Sequence, residues 1–244
     1  MSSRKVAVYT IAYGKEDLAR KSLRTLHKFA GIQFDHFVFA QQPSDDFREW
    51  LEQQEAVGSI KWLRISKKNY GQQIAANIMI DEMGKAEVPY NWIMRWDPDA
   101  IAHTRRFLRK MIRFGEAVMR QGELPILSPN ITKLKFPPPA IWVNELPRLG
   151  KFEIVQILGG ICRLHPAVFF DNWRFNPFLP VSLGEAAEVS DRVTELAHKN
   201  RPWVTLRLPG LTVEHAFGAD VQEMMYPEMR GMEREIARCC SYGY

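Results

Sequence analysis

Apolar residues recur along this chain with two alternating periods, and the alternation predicts its architecture. In "KVAVYTIA", 5–12, β-branched and aromatic residues crowd together as in a buried strand, and Gly14 breaks the run. In the "KEDLARKSLRTLHKFA" that follows, Leu18, Leu23, Leu26 and Phe29 fall at helical spacing. A short buried strand at 35–40 leads to a helix at 44–58, with Ser44 or Asp45 as N-cap. A strand at 60–66, a helix at 71–86 closing near Gly84 and a strand at 90–96 complete the first hundred residues. The order β-α-β-α-β-α-β with short connections predicts an α/β fold: a mixed, mostly parallel sheet with helices on both faces.

The second half is less regular. It reads as a long helix at 104–122, a strand at 124–131, and a proline-bearing loop at 133–152 containing Pro137, Pro138 and Pro139. "EIVQILGGICRLHPAVF" reads as a strand, a glycine pair, and a second strand turning into a short helix. A helix at 184–202 and a last strand, or pair of strands, at 203–215 follow. The expected organisation is one domain over 1–216, with halves 1–100 and 101–216, and a methionine-rich tail at 217–244 holding one helical stretch.

Composition narrows the picture without redirecting it. At 244 residues, with 46% hydrophobic and 25% charged, the chain can bury one substantial core. No apolar run reaches the roughly 18 residues of a membrane span, and the N-terminus lacks a signal-peptide pattern. The three cysteines, Cys162, Cys239 and Cys240, form neither a disulfide framework nor a metal-ligand spacing, so the expected location is cytoplasmic, the host's cytoplasm for a viral chain. The net charge of +5 favours anionic partners, and part of it is concentrated. In "HTRRFLRKMIRF", Arg105, Arg109 and Arg113 repeat every four residues with Arg106 and Lys110 beside them, which makes one helical face cationic. Such a face is either solvated or tracks a polyanion.

The chemistry centres on "RWDPDAI". Asp97 and Asp99 stand two residues apart where a buried strand surfaces, with Pro98 stiffening the turn between them. In sheets of this kind ligands bind beyond the carboxyl ends of strands. Two carboxylates so placed either end the strand as a polar turn or share Mg²⁺ or Mn²⁺, which keeps coordination positions open for phosphate oxygens.

The order of these features resembles the GT-A nucleotide-sugar glycosyltransferases, in particular the inverting glycosyltransferase family two group. "VYTIAYGKEDLARKSLRTL" is similar to the group's opening strand, turn and helix, and "NYGQQIAAN" to its asparagine-glycine segment. "RWDPDAI" resembles its metal-binding DxD motif, "LGGICRLHPAVF" its glycine-containing acceptor strand, and "AEVSDRVTELAHKNRPWVTLRLPGLTVEH" its acidic motif, helix and terminal histidine. The likeness spans roughly residues 5–215.

That resemblance implies a nucleotide-sugar donor held by Thr10, Ala12, Tyr13, Gln41, Asn69, Gln73, Arg95 and Asp97. It implies a metal held by Asp97, Asp99 and His215, and an acceptor met by Gly159, Gly160 and Trp173. Either Asp191 or Glu188 would be the catalytic base that activates an acceptor hydroxyl. Each has an ordinary alternative: Asp191 as a helix cap, the glycines as a bulge, Trp173 as core, His215 as a surface residue, Asn69 and Gln73 as helix starters. The chain departs from the group at "FAQQPSDD", where Gln41 and Gln42 replace an acid, and at Val189 in the acidic pair.

Three functions therefore stand. The leading one is metal-dependent, inverting sugar transfer from a nucleoside diphosphate to a hydroxyl, of which a hydroxymethylated DNA base is one example. The others are a sugar-phosphate nucleotidyltransferase, for which the single glycine of the first loop is a poor signature, and a non-catalytic nucleic-acid-binding module.

Overall fold

The structure, a computed structural model, describes residues 5–133, 140–155, 158, 160–176, 192 and 203–216. The expected helix at 184–202 and the tail at 217–244 lie outside the described residues, Arg192 excepted.

The first half forms as its pattern predicts. Strands β1 (Val6–Tyr13), β2 (Asp35–Gln41), β3 (Trp62–Ser66) and β4 (Trp92–Trp96) alternate with helices α1 (Glu16–Phe29), α2 (Asp45–Ala56) and α3 (Gly71–Gly84). Ser44 is the N-cap of α2, its hydroxyl accepting from the Phe47 amide at 3.2 Å. The four strands run parallel in the order β3-β2-β1-β4.

The second half adds β5 (Ala100–Ala102), α4 (Phe107–Met119), β6 (Leu124–Thr132), β7 (Ala140–Leu146), β8 (Gly150–Val155), β9 (Cys162–Pro166) and β10 (Trp203–His215). The sheet continues from β4 through β9, β6, β10 and β8 to β7. Its second half mixes directions: β9 is antiparallel to β4, β10 parallel to β6, and β8 antiparallel to β10.

Two expectations needed correction, and one further element had no counterpart among them. The segment 133–152 is not all loop: β7 and β8 form an antiparallel hairpin. Ile141, Trp142 and Val143 of β7 are exposed, so the strand carries no apolar-in, polar-out alternation for a sequence pattern to show. The basic helix starts at Phe107, not at 104. Arg106 is its left-handed cap at φ 59°, so Arg105 and Arg106 precede the helix and leave Arg109, Lys110 and Arg113 on it. Finally, β5, three residues long, was below what periodicity can register.

Helices cover both faces. On one, α1 and α4 bury Leu26, Leu108, Met111 and Ile112 against Val6, Val8, Met94 and Trp96, while α2 packs Phe47 and Leu51 beside Val38. On the other, Ala75, Ala76 and Met79 of α3 join Tyr9, Ile93, Phe169 and Phe170. Two close approaches require glycine. Gly31 adopts φ +74° and a Cβ there would lie 2.6 Å from the Arg106 backbone; at Gly115 it would lie 2.4 Å from the Trp92 ring.

Candidate active site

Strand β4 delivers its carboxyl end to a turn held on three sides. The Asp97 amide donates to Ile161 O at 2.9 Å, tying the turn to the approach to β9. The Ser22 hydroxyl of α1 donates to Asp97 O at 3.1 Å and accepts from Trp96 Nε1 at 2.8 Å. Beyond the turn, β5 pairs antiparallel with the end of β10, placing His215 opposite Ala100. That pairing brings the buried His215 ring to Asp99, with Nε2 to Oδ2 at 3.0 Å across 116 residues of sequence.

The two carboxylates face different partners. Asp97 lies in a two-pronged guanidinium contact from Arg95, Nε to Oδ1 at 2.6 Å and Nη2 to Oδ2 at 3.2 Å. Burial raises the Asp97 pKa, the Arg95 charge works against that rise, and Asp99 adds to it. For Arg95, burial opposes the charge and the Asp97 carboxylate outweighs it, so the guanidinium stays ionised. Among the described residues no three His, Cys, Asp or Glu side chains converge as a metal cage. The expected trio of Asp97, Asp99 and His215 is thus present as an Asp99–His215 pair, with Asp97 engaged by Arg95.

The remaining candidates divide. Gly160 lies over Arg95, whose Nη1 would be 3.9 Å from a Cβ at that position. Tyr13 stands exposed at the end of β1, whereas Thr10 and Ala12 are buried, Thr10 Oγ1 lying 3.1 Å from His36 Nε2. Gln41 is buried and accepts from the Tyr70 amide at 2.6 Å, so it braces the loop before α3. Asn69 accepts from the Gly71 amide at 2.8 Å, the helix-starting role. Gln73 is buried, and its neighbour Gln72 accepts from Arg95 Nη2 at 3.2 Å. Trp173 packs edge-on against Phe169 and Phe175, the core alternative. Gly159, Glu188 and Asp191 lie outside the described residues.

Several residues were missed. Arg163 stands opposite Arg95 in the β4–β9 register, and Tyr9 opposite Arg95 on the other side, so one row across the sheet reads Tyr9, Arg95, Arg163, all buried. Burial, and then the Arg95 charge, lower the Arg163 pKa to about 10. Lys15, at the start of α1, is electrostatically coupled to Asp99. The usable signal for Arg163 was an arginine inside an apolar strand, "ICRLHP", the same signal "IMRW" gives for Arg95.

Buried histidines give the region a pH signature. His36 lies between Thr10 and His27, His165 between Phe169 and Phe170, and burial drives both well below the ordinary value of 6.5. The unfolded chain therefore takes up protons first as pH falls. Stability is full above about pH 6.5 and declines below it by about 1.4 kcal/mol per pH unit for each ring that stays neutral, roughly 2.7 for both. Asp97 has the opposite sign and acts lower, because its raised carboxyl holds a proton that the unfolded one has lost. Urea unfolding between pH 7.5 and 5.5 checks this: a flat profile would contradict it, and His165→Phe should about halve the slope.

Solved structures share this architecture. A mannosyltransferase, PcManGT, from Pyrobaculum calidifontis, in complex with GDP-Man and Mn²⁺, is 12% identical, with 89% of this chain and 59% of that chain covered and a TM-score of 0.61. TarS 1–349 from S. aureus is 12% identical over 84% of this chain and 60% of that one, TM-score 0.57. GalNAc-T7 with UDP, GalNAc and Mn²⁺ is 13% identical over 86% and 43%, TM-score 0.63. The chain thus spans 43–60% of the length of these structures. No family model and no curated protein sequence matches it. The fold is GT-A.

Proposed function

We propose that the chain is a glycosyltransferase that moves a sugar from a nucleoside diphosphate to an acceptor hydroxyl, with inversion and with a divalent cation. The observation that carries this reading is the Asp99–His215 pair, 3.0 Å apart at the carboxyl end of the GT-A sheet. Two of the proteins it resembles in fold, PcManGT and GalNAc-T7, were solved with GDP-Man or UDP and with Mn²⁺, which supports the same donor class here.

The donor set fits a metal. The Asp99 carboxylate and the His215 imidazole, side by side, would be two protein ligands of a bound cation. A mixed oxygen and imidazole set favours Mn²⁺ over Mg²⁺, which prefers oxygen alone. Bound there, the cation supplies charge stabilisation to the departing diphosphate. Arg95 holds Asp97 fixed beside the donor, and Gly160 leaves its backbone open to a sugar ring. Asp191 or Glu188 takes the acceptor hydroxyl's proton as the base of an inverting transfer. The exposed Arg109 and Arg113 suit a negatively charged acceptor, a hydroxymethylated base in DNA among them.

A thermal-shift panel of nucleotide sugars with and without Mn²⁺ tests the reading. A donor at about 100 times its Kd adds roughly 2.7 kcal/mol, or about 5–10 °C for a chain of this size. Stabilisation that requires both donor and Mn²⁺ is expected. No shift from any nucleotide sugar would remove the proposal.

A further inference from the structure

A concave site that shares no lining residue with the Asp99–His215 pair lies between α4, the β7–β8 turn and the irregular middle of β10. It is a cleft of about 260 Å³ lined by Lys110, Arg113, Arg148 and Lys151 over Phe114, Leu149, Leu208 and Leu211. Its lining holds four cations and no carboxylate. None of the four forms an ion pair among the described residues. Other surface arginines do find acids: Arg48 pairs with Asp45 and Glu52, and Arg174 with Asp81.

The placement comes from the fold. Lys110 and Arg113 are one helical turn apart on α4, while Arg148 lies in the hairpin turn and Lys151 just after it, with Arg148 (φ 66°) and Gly150 (φ 100°) both at positive φ. The register of β10 against β6 breaks between Leu208 and Thr212, and Leu208 and Leu211 bound the cleft there. Four like charges around one hollow repel one another, and the apolar floor strengthens the field they share.

We propose that this cleft binds a phosphate group, and, resting on the glycosyltransferase reading above, that the phosphate belongs to the acceptor. The planar forks of Arg113 and Arg148 match tetrahedral oxyanions in pairs, and the two lysines add point charge without demanding geometry. Leu211 in the cleft and His215 at the candidate metal pair share β10 four residues apart, about 13 Å at roughly 3.3 Å per residue. A phosphate held there would leave a hydroxyl a short polymer unit away within reach of the donor.

The test is titration of inorganic tripolyphosphate into the intact protein in EDTA, without donor, so failure of the sugar-transfer reading leaves it readable. Saturable binding is expected, weakened at least tenfold in Arg113→Glu/Arg148→Glu, weakened less in Arg113→Gln/Arg148→Gln, and unchanged in Asp99→Ala. Equal binding by wild type and both double variants, or loss through Asp99→Ala, would overturn the proposal. A short oligothymidylate and vesicles containing phosphatidylglycerol, titrated in parallel, separate a phosphodiester strand from a lipid headgroup as the source. Charge reversal should weaken whichever binds, and insensitivity of both to Arg148 would count against the cleft.

Discussion

Asp99→Ala is expected to lower sugar transfer on the order of 10³-fold, about 4 kcal/mol of barrier, while leaving the fold intact. Asp99 is the carboxylate that faces His215 and not an arginine, so its loss removes a candidate metal ligand without stranding a buried cation. His215→Ala should act in the same direction. Added Mn²⁺ should partly rescue either variant, because a weakened site fills at higher metal concentration. The measurement is donor turnover against Mn²⁺ concentration, with circular dichroism to confirm folding. Turnover indifferent to both substitutions would place the chemistry away from the Asp99–His215 pair.

Arg95→Met is expected to cost about 3–5 kcal/mol of stability, because it leaves the Asp97 carboxylate in a low-dielectric site without its partner. Arg95 is 4% exposed and reaches Asp97 through both Nε and Nη2. The companion variant Arg95→Met/Asp97→Asn should recover much of the loss, since it removes both charges. Urea denaturation of the four forms closes the cycle. A single-variant loss below about 1 kcal/mol would show that Asp97 is neutral or solvated in the folded protein, and would weaken the case for a fixed donor site.

Much of this is legible in the sequence. The βα alternation announced the parallel half of the sheet, since each element carries its own period and its own punctuation, as Gly14 and Ser44 show. The turn at Asp97 and Asp99 was equally plain, because polar residues after an apolar run mark a strand's carboxyl end. The hairpin of β7 was hidden, because an exposed edge strand has no burial pattern and a proline run precedes it.

Local order of residues thus specified the alternating elements of the first half, the strand end and the acidic pair, since these depend on neighbours a few positions apart. Which carboxylate meets which partner was beyond it. Arg95 claims Asp97 from two residues away, while His215 reaches Asp99 only because β5 pairs with the far end of β10. Likewise Arg113 and Arg148 share one cleft only once the hairpin lies beside α4. Such meetings are set by sheet register and helix packing, which bring together side chains that no stretch of sequence places side by side.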